Sequence, residues 1–457
     1  HRVKGRDHLG QDKGRIMQEV KLMPHQRQAL DRLVESDGKQ LLHIGCGGGK
    51  TLTSLEYIRR TNSKNVLIVC PASLLGVWAD EAEKWFGWEV TKIKGNPKER
   101  KDIYGRWHDG IYVIGYETMV KDLKYLITKE FDILIAEESH RIKNPTAKCT
   151  KAMFKLGCNA KHRIALTGTA MPGGWKDIWA QVNFVQPGCL YPSFWVFRSV
   201  HCVMPIPQVP MITGYRDLET IKNAIKPHVL TIPKEDIDKG LPPVTFQDIN
   251  IELSDEEWKF YRQMRDEMRL ELQNGEELTI ANALVLIGRL KMATNGLFYF
   301  GLDVPSSKMQ ALKDLVESIP MDEKIIVFSQ FSSSAKEIQK ELHTPYLVYG
   351  ESKDKDTIVN NWKKSGRVLV GTGSLGTGWN LQDASYCINY DMPYTNSEYE
   401  QRISRLIRVG QSRHVHVYDL VTSGTVDAHV KKILERKKTM TDELIEWTRA
   451  DIDFLLQ

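Results

Sequence analysis

The strand-like run Gln40-Leu41-Leu42-His43-Ile44 ends in Gly45-Cys46-Gly47-Gly48-Gly49-Lys50-Thr51, and a helix-like stretch, TLTSLEYIRR, begins at Thr51. Glycines at such a turn let backbone N–H groups close around phosphates, while a lysine reaches the outer phosphates and a threonine hydroxyl is available to Mg²⁺. Gly45, Gly47, Gly48, Gly49, Lys50 and Thr51 are therefore candidate ATP-binding residues, and Thr51 is also a candidate metal ligand. The strict spacing GxxxxGK followed by Ser or Thr is not met, because Ile44 stands at the first glycine position. Taken alone, the loop has a lesser alternative, a glycine-rich strand-to-helix turn without ligand. A second signal accompanies it: FDILIA runs into Glu137-Glu138-Ser139-His140. Two carboxylates at a strand end can divide the work of phosphoryl transfer, Glu137 holding Mg²⁺ and Glu138 orienting or deprotonating the attacking water. By itself the acidic pair could simply open a solvated helix; beside the phosphate loop it makes Lys50, Glu137 and Glu138 candidate catalytic residues.

These residues need a scaffold that places them at strand ends, and the sequence supplies its pattern. From residue 17 to about 185, short apolar runs (QLLHIG, NVLIVCP, GIYVIGYE, FDILIAEE, HRIALTG) alternate with polar or helical stretches, as in a parallel α/β sheet. Ligands of such sheets gather at the carboxyl ends of the strands, where these motifs lie. Between Pro187 and Pro243 the pattern weakens, and Ser254 to Leu297 reads as helical. A second strand series follows: EKIIVFSQ, PYLVYG, RVLVGTG, ASYCINYD and HVHVYDLV. The expected organisation is a first α/β lobe over 17–186, a helical insertion and linker over 187–306, a second α/β lobe over 307–424, and C-terminal helices over 425–457. Residues 1–16 are polar and aperiodic, expected to be extraneous or a disordered terminus, with Met17 a candidate start.

The 457 residues suffice for several domains, and 41% hydrophobic with 26% charged residues is the balance of a globular chain. No apolar run approaches the roughly 20 residues that cross a bilayer, and no signal-peptide core is evident. Seven scattered cysteines without a Cys-x-x-Cys pair argue against a disulfide framework and a zinc site. The expectation is a reducing intracellular setting, the cytoplasm of a bacterial or phage-infected cell. A net charge of +5 permits nucleic-acid binding without requiring it.

Gly47-Gly48-Gly49-Lys50-Thr51, EESHRIKN, LTGTA (166–170) and QRISRLIRVGQ (401–411) together resemble the Swi/Snf-like ATPases of helicase superfamily two, in order and spacing, from about Leu22 to Glu443. The resemblance implies two RecA-like lobes, parallel sheets flanked by helices, which hydrolyse ATP with Mg²⁺ in the cleft between them. Gln26 looks like the residue that reads the adenine edge. Pro71, Ser73 and Trp78 in VLIVCPASLLGVW, and Tyr116 in IGYETM, resemble DNA-contacting positions; Thr167 and Thr169 resemble the segment that couples nucleotide state to DNA grip. In the second lobe, Ser329 and Gln330 resemble a fourth motif. Gly376, Gly378 and Asn380 resemble a fifth, where glycine lets backbone approach DNA and nucleotide. Arg405 and Arg408, with Gln401 near the nucleotide, resemble catalytic arginines; their spacing places both on one side of a helix. Ser307-Lys308 also sits where the family has such a pair, though Ser307 reads equally as a helix N-cap.

Several positions depart from the family: Glu137 where Asp is usual, Ala170 after TGT, Ser404 in the last motif, and Thr231-Ile232 in place of paired arginines. The basic runs 92–101 and 431–438 are either phosphate contacts or solvated faces. The implied function is a DNA-dependent ATPase, a double-stranded DNA translocase or remodeller acting in replication, recombination or repair. Its partner would be duplex, forked or branched DNA, with no membrane and no zinc. Two alternatives stay open: a strand-separating helicase, and a DNA-binding scaffold whose catalysis Glu137 has weakened or ended.

Overall fold

The computed structural model describes residues 20–45, 47–168, 170–171, 174–204, 212, 214–232, 236–237, 243–273, 280–373, 375, 379–407 and 411–439, with side chains described for all but 268–273, 280–284, 286, 397 and 436–439. The chain divides into two compact units, 1–240 and 241–457.

In the first unit, seven strands form one sheet in the order β3-β4-β2-β5-β6-β1-β9: β1 (Lys39–Ile44), β2 (Asn65–Cys70), β3 (Val90–Ile93), β4 (Gly110–Gly115), β5 (Phe131–Glu137), β6 (Ala160–Thr167) and β9 (Val229–Ile232). Every pairing is parallel. The short strands β7 (Cys202–Val203) and β8 (Gly214–Tyr215) make a separate antiparallel pair. Leu67, Val69, Leu134 and Ala136 enter one apolar cluster with the helices Lys148–Gly157 and Ile178–Val185. The alternate residues Val66, Ile68, Ile133 and Ile135 are fully buried as well. A sheet covered on both faces explains why these strands read as continuous apolar runs. Each fully buried aliphatic side chain stabilises by about 1.5–3 kcal/mol.

The second unit has a six-stranded parallel sheet in the order β10-β15-β14-β11-β13-β12: β10 (Val244–Ile251), β11 (Ile325–Phe328), β12 (Leu347–Val348), β13 (Val368–Gly371), β14 (Tyr386–Asn389) and β15 (Val415–Thr422). Strand alternation is explicit: Ile325, Val327, Val368, Val370 and Ile388 enter one core with the helices Ser307–Ser318 and Ser332–Glu341. Ile326, Phe328, Leu369 and Cys387 enter the opposite core with Val359 and Trp362 of helix Lys355–Ser365. A third cluster joins the helices Asp255–Gln273, Ile280–Asn295 and Val426–Thr439 through Tyr261, Leu290 and Val430.

The segment expected as a single insertion and linker, 187–306, is thus shared out. Its first part closes the first sheet through β9, paired with β1 at Leu42↔Leu230. Its last part supplies β10 and two helices to the second unit. Residues 1–16, most of the expected C-terminal helices beyond Thr439, and Thr169, Gly376, Gly378 and Arg408 lie outside the described residues.

Candidate functional site

The glycine loop is held in a shape that leaves no room for a Cβ at Gly48 or Gly49. Gly47 and Gly49 have φ of 81° and 74°, the left-handed region where glycine carries no steric penalty. A methyl group at Gly48 would stand 2.5 Å from Ile44 Cγ2, and one at Gly49 would collide with Gln26 Nε2. Gln26 is buried against the loop, its Oε1 accepting the Met23 N–H at 2.8 Å. His25 Nε2 lies 3.1 Å from the Gly48 carbonyl, and burial holds this imidazole below its ordinary pKa; the neutral ring must carry its proton on Nε2 to donate. Lys50, the first residue of helix Lys50–Thr61, folds its buried ammonium back on the loop, donating to the Ile44 carbonyl at 2.8 Å and the Gly45 carbonyl at 3.4 Å. Thr51, in the same first turn, is half-buried. The helix N-terminus adds its unpaired N–H groups and positive dipole end at this point.

Glu137 closes β5, in register with Leu166 of β6, and is buried. The next residue, Glu138, has φ 53° and turns the chain into the short helix Ser139–Ile142. A non-glycine residue in this region costs of order 1–3 kcal/mol and persists only where its surroundings enforce it. The enforcing contacts are visible. Tyr116 donates its hydroxyl to the Glu137 main-chain carbonyl at 2.9 Å. Ser139 donates to Gln181 Oε1 at 2.7 Å, and Gln181 donates to the Ala170 and Asp177 carbonyls. His140 Nδ1 lies 3.4 Å from Glu138 Oε2 and 3.3 Å from Thr167 Oγ1. Burial, the largest influence, holds this imidazole below its ordinary pKa despite the neighbouring Glu138. His43 Nε2 reaches the Gly168 carbonyl at 3.2 Å. The acidic strand end and the TGT segment are therefore connected through His140, a role the sequence reading did not assign.

Several of the residues that resemble DNA-linked motif positions are interior. Trp78 (1% exposed), Tyr116 (2%), Thr167 (0%) and Ser329 (0%) are interior side chains, and Tyr116 supports Glu137. Ser73 is exposed and Pro71 half-exposed at the carboxyl end of β2, so these two keep a surface position. Of the first basic run, Lys94, Lys98 and Lys101 are exposed. Arg100 instead grips Asp122 with two hydrogen bonds of 2.6 and 3.1 Å. In the second run, Lys431 pairs with Asp419 at 2.9 Å and with Asp248.

The arginine segment also differs from expectation. Helix Asn396–Ile403 ends before Arg405, which lies in the following turn, while Arg408 is outside the described residues. Arg405 is buried, and its main-chain carbonyl accepts the Leu381 N–H at 3.0 Å. Gln401 is half-buried at the end of the helix. The half-buried Asn380 bonds to Gln382 through both backbone and side chain. Ser329 and Gln330 both bond to Asp391, at 2.9 and 2.6 Å. Lys308 is fully buried against Asp427, Ser307 bonds Glu257, and the N-cap of helix Ser307–Ser318 is Ser306 rather than Ser307.

A glycine loop leading into a helix, acidic residues two strands away at a strand end, and a parallel sheet covered on both faces define a RecA-like nucleotide-binding unit; the second unit repeats the covered parallel sheet. Comparison with known proteins gives the family. The SNF2-related domain description matches residues 25–298 and the helicase conserved C-terminal domain description matches 307–410. The chain belongs to the SNF2-related family. Among its relatives, an uncharacterized ATP-dependent helicase of Mycoplasma genitalium, MG018, is 27% identical over 85% of this chain and 38% of its own length. The uncharacterized ATP-dependent helicase YqhH of Bacillus subtilis is 27% identical over 93% of this chain and 79% of its own. The human DNA repair and recombination protein RAD54B is 24% identical over 94% of this chain and 55% of its own. The chain thus spans about two fifths of MG018, about half of RAD54B and most of YqhH.

Among the described residues, no group of three or more His, Cys, Asp and Glu side chains is placed to hold a metal ion. The six described cysteines are free, and no described helix is long and apolar enough to cross a membrane.

Proposed function

We propose that this protein is a DNA-dependent ATPase that travels along, and remodels what is bound to, double-stranded DNA in replication, recombination or repair. The observation that carries the ATPase reading is the collar around Lys50: Gln26 and His25 brace a glycine loop that has no room for a Cβ at Gly48 or Gly49. The DNA reading rests on family membership and on the repair and recombination role in the name of RAD54B.

In this reading the loop N–H groups and the Lys50 ammonium receive the phosphates, the ammonium exchanging loop carbonyls for phosphate oxygens. Thr51 and Glu137 fit Mg²⁺, since that ion is commonly bound through one or two carboxylates while keeping several waters. When bound, Mg²⁺ supplies charge neutralisation at the phosphates. Glu138, held by its strained backbone and by His140, orients the attacking water and takes its proton. Neutral His140 passes a change at the acidic strand end to Thr167. Arg405 and Arg408 are the proposed catalytic arginines; removing such an arginine typically lowers turnover about 10³- to 10⁵-fold.

Two substrates separate travel on duplex from strand separation. With ATP, the protein should displace a third strand from an intact duplex. Unwinding of a fork without triplex displacement would favour the strand-separating reading instead. Duplex DNA leaving ATP turnover at background, with Glu137→Asp restoring it, would favour the scaffold reading.

A further inference from the structure

Arg402, three residues before Arg405, is among the largest fully buried side chains of the chain. It belongs to helix Asn396–Ile403, and its guanidinium lies 5.5 Å from the Phe328 ring at the carboxyl end of β11. Nη1 donates to Asn389 Oδ1 at 3.2 Å, at the end of β14, and to the Asp391 carbonyl at 3.0 Å. Nη2 donates to Gln330 Oε1 at 2.8 Å and to Glu398 Oε1 at 3.3 Å. Three of these four acceptors are neutral oxygens, so the contacts give direction more than charge compensation. The buried Asp391 carboxylate is engaged by Ser329, the Gln330 N–H and Asn295 Nδ2. A planar guanidinium holding several acceptors fixes orientation in a way that a lysine's point charge does not.

We propose that Arg402 is a positioning residue for ATP hydrolysis: it fastens the Arg405-bearing turn to the ends of β11 and β14 and holds the Gln330 side chain to the same anchor. The Arg405 carbonyl is held in turn by the Leu381 N–H, so the turn is fixed from both sides. Movement of the β11–Gln330 connection would be transmitted to Arg405 through this buried guanidinium. This inference rests on the ATPase reading above.

Steady-state ATP turnover with duplex DNA, measured on the full chain, tests it. Arg402→Ala should lower kcat about 10²-fold, the order that a misplacement of about 1 Å costs, with KM for ATP changed less than threefold. Arg402→Lys should not rescue. In an Arg405→Ala background, Arg402→Ala should lower kcat less than threefold further, because its effect passes through Arg405. Gln330→Leu, which removes one neutral acceptor and no charge, guards against misfolding of the arginine variants and should lower kcat in the same direction, about threefold to tenfold. Full turnover in Gln330→Leu and a folded Arg402→Ala, or additive losses in the double variant, would overturn the assignment. A wild-type chain without ATP turnover would overturn the ATPase reading first and this inference with it.

Discussion

At the scale of single residues, the two adjacent glutamates differ in backbone and in setting. Glu137 ends a strand and is interior, whereas Glu138 sits at φ 53° beside His140. Glu138→Gln keeps the shape and removes the proton acceptor, so kcat should fall about 10²- to 10⁴-fold while a fluorescent ATP analogue still binds; unchanged kcat would contradict the assignment. The histidines make a second expectation. Burial holds His140 and His25 below the ordinary value of 6.5, so below that pH the unfolded chain takes up protons that the folded chain resists. Their stabilisation is complete above pH 6.5 and is lost as pH falls through the folded values. Thermal unfolding should show Tm dropping between pH 7 and 5.5, with a shallower drop in the His25→Gln, His140→Asn double variant. An identical pH slope in the variant would count against this.

At the scale of elements, the glycine loop is the part most sensitive to one atom. Gly49→Ala places a methyl group against Gln26 in a left-handed backbone position, which should destabilise by about 1–2 kcal/mol and weaken ATP binding, measurable by denaturant unfolding and nucleotide titration. This loop and the strands around it were legible in the sequence because strands buried on both faces are continuous apolar runs, with the glycine loop following one and Glu137 ending another. Other elements were hidden by their physical setting. VLTI of β9 is four residues long and precedes a proline, and β10 is exposed along most of its length, so neither carries the apolar run of a buried parallel strand. Spacing placed Arg405 on a helix with Arg408, but helix Asn396–Ile403 ends before Arg405, whose carbonyl instead accepts the Leu381 N–H. Trp78 and Tyr116 matched family positions, yet a motif records residue type and not which way a side chain faces; their burial appears only with the packing.

At the scale of the molecule, two units with covered parallel sheets occupy one chain of a family whose named relatives include ATP-dependent helicases and a DNA repair protein. If the exposed lysines at 94, 98 and 101 meet phosphates, a triple substitution to alanine should weaken duplex binding and flatten its salt dependence by roughly three in the log–log slope; an unchanged slope would return them to solvated surface. The central claim, that Lys50 serves an ATPase answering to DNA, is tested most directly by ATP turnover of the full chain without DNA and with single-stranded, duplex and forked DNA, beside Lys50→Ala. The account predicts turnover raised at least tenfold by duplex DNA and reduced to background in Lys50→Ala on every substrate. Turnover indifferent to duplex DNA, or surviving in Lys50→Ala, would contradict it.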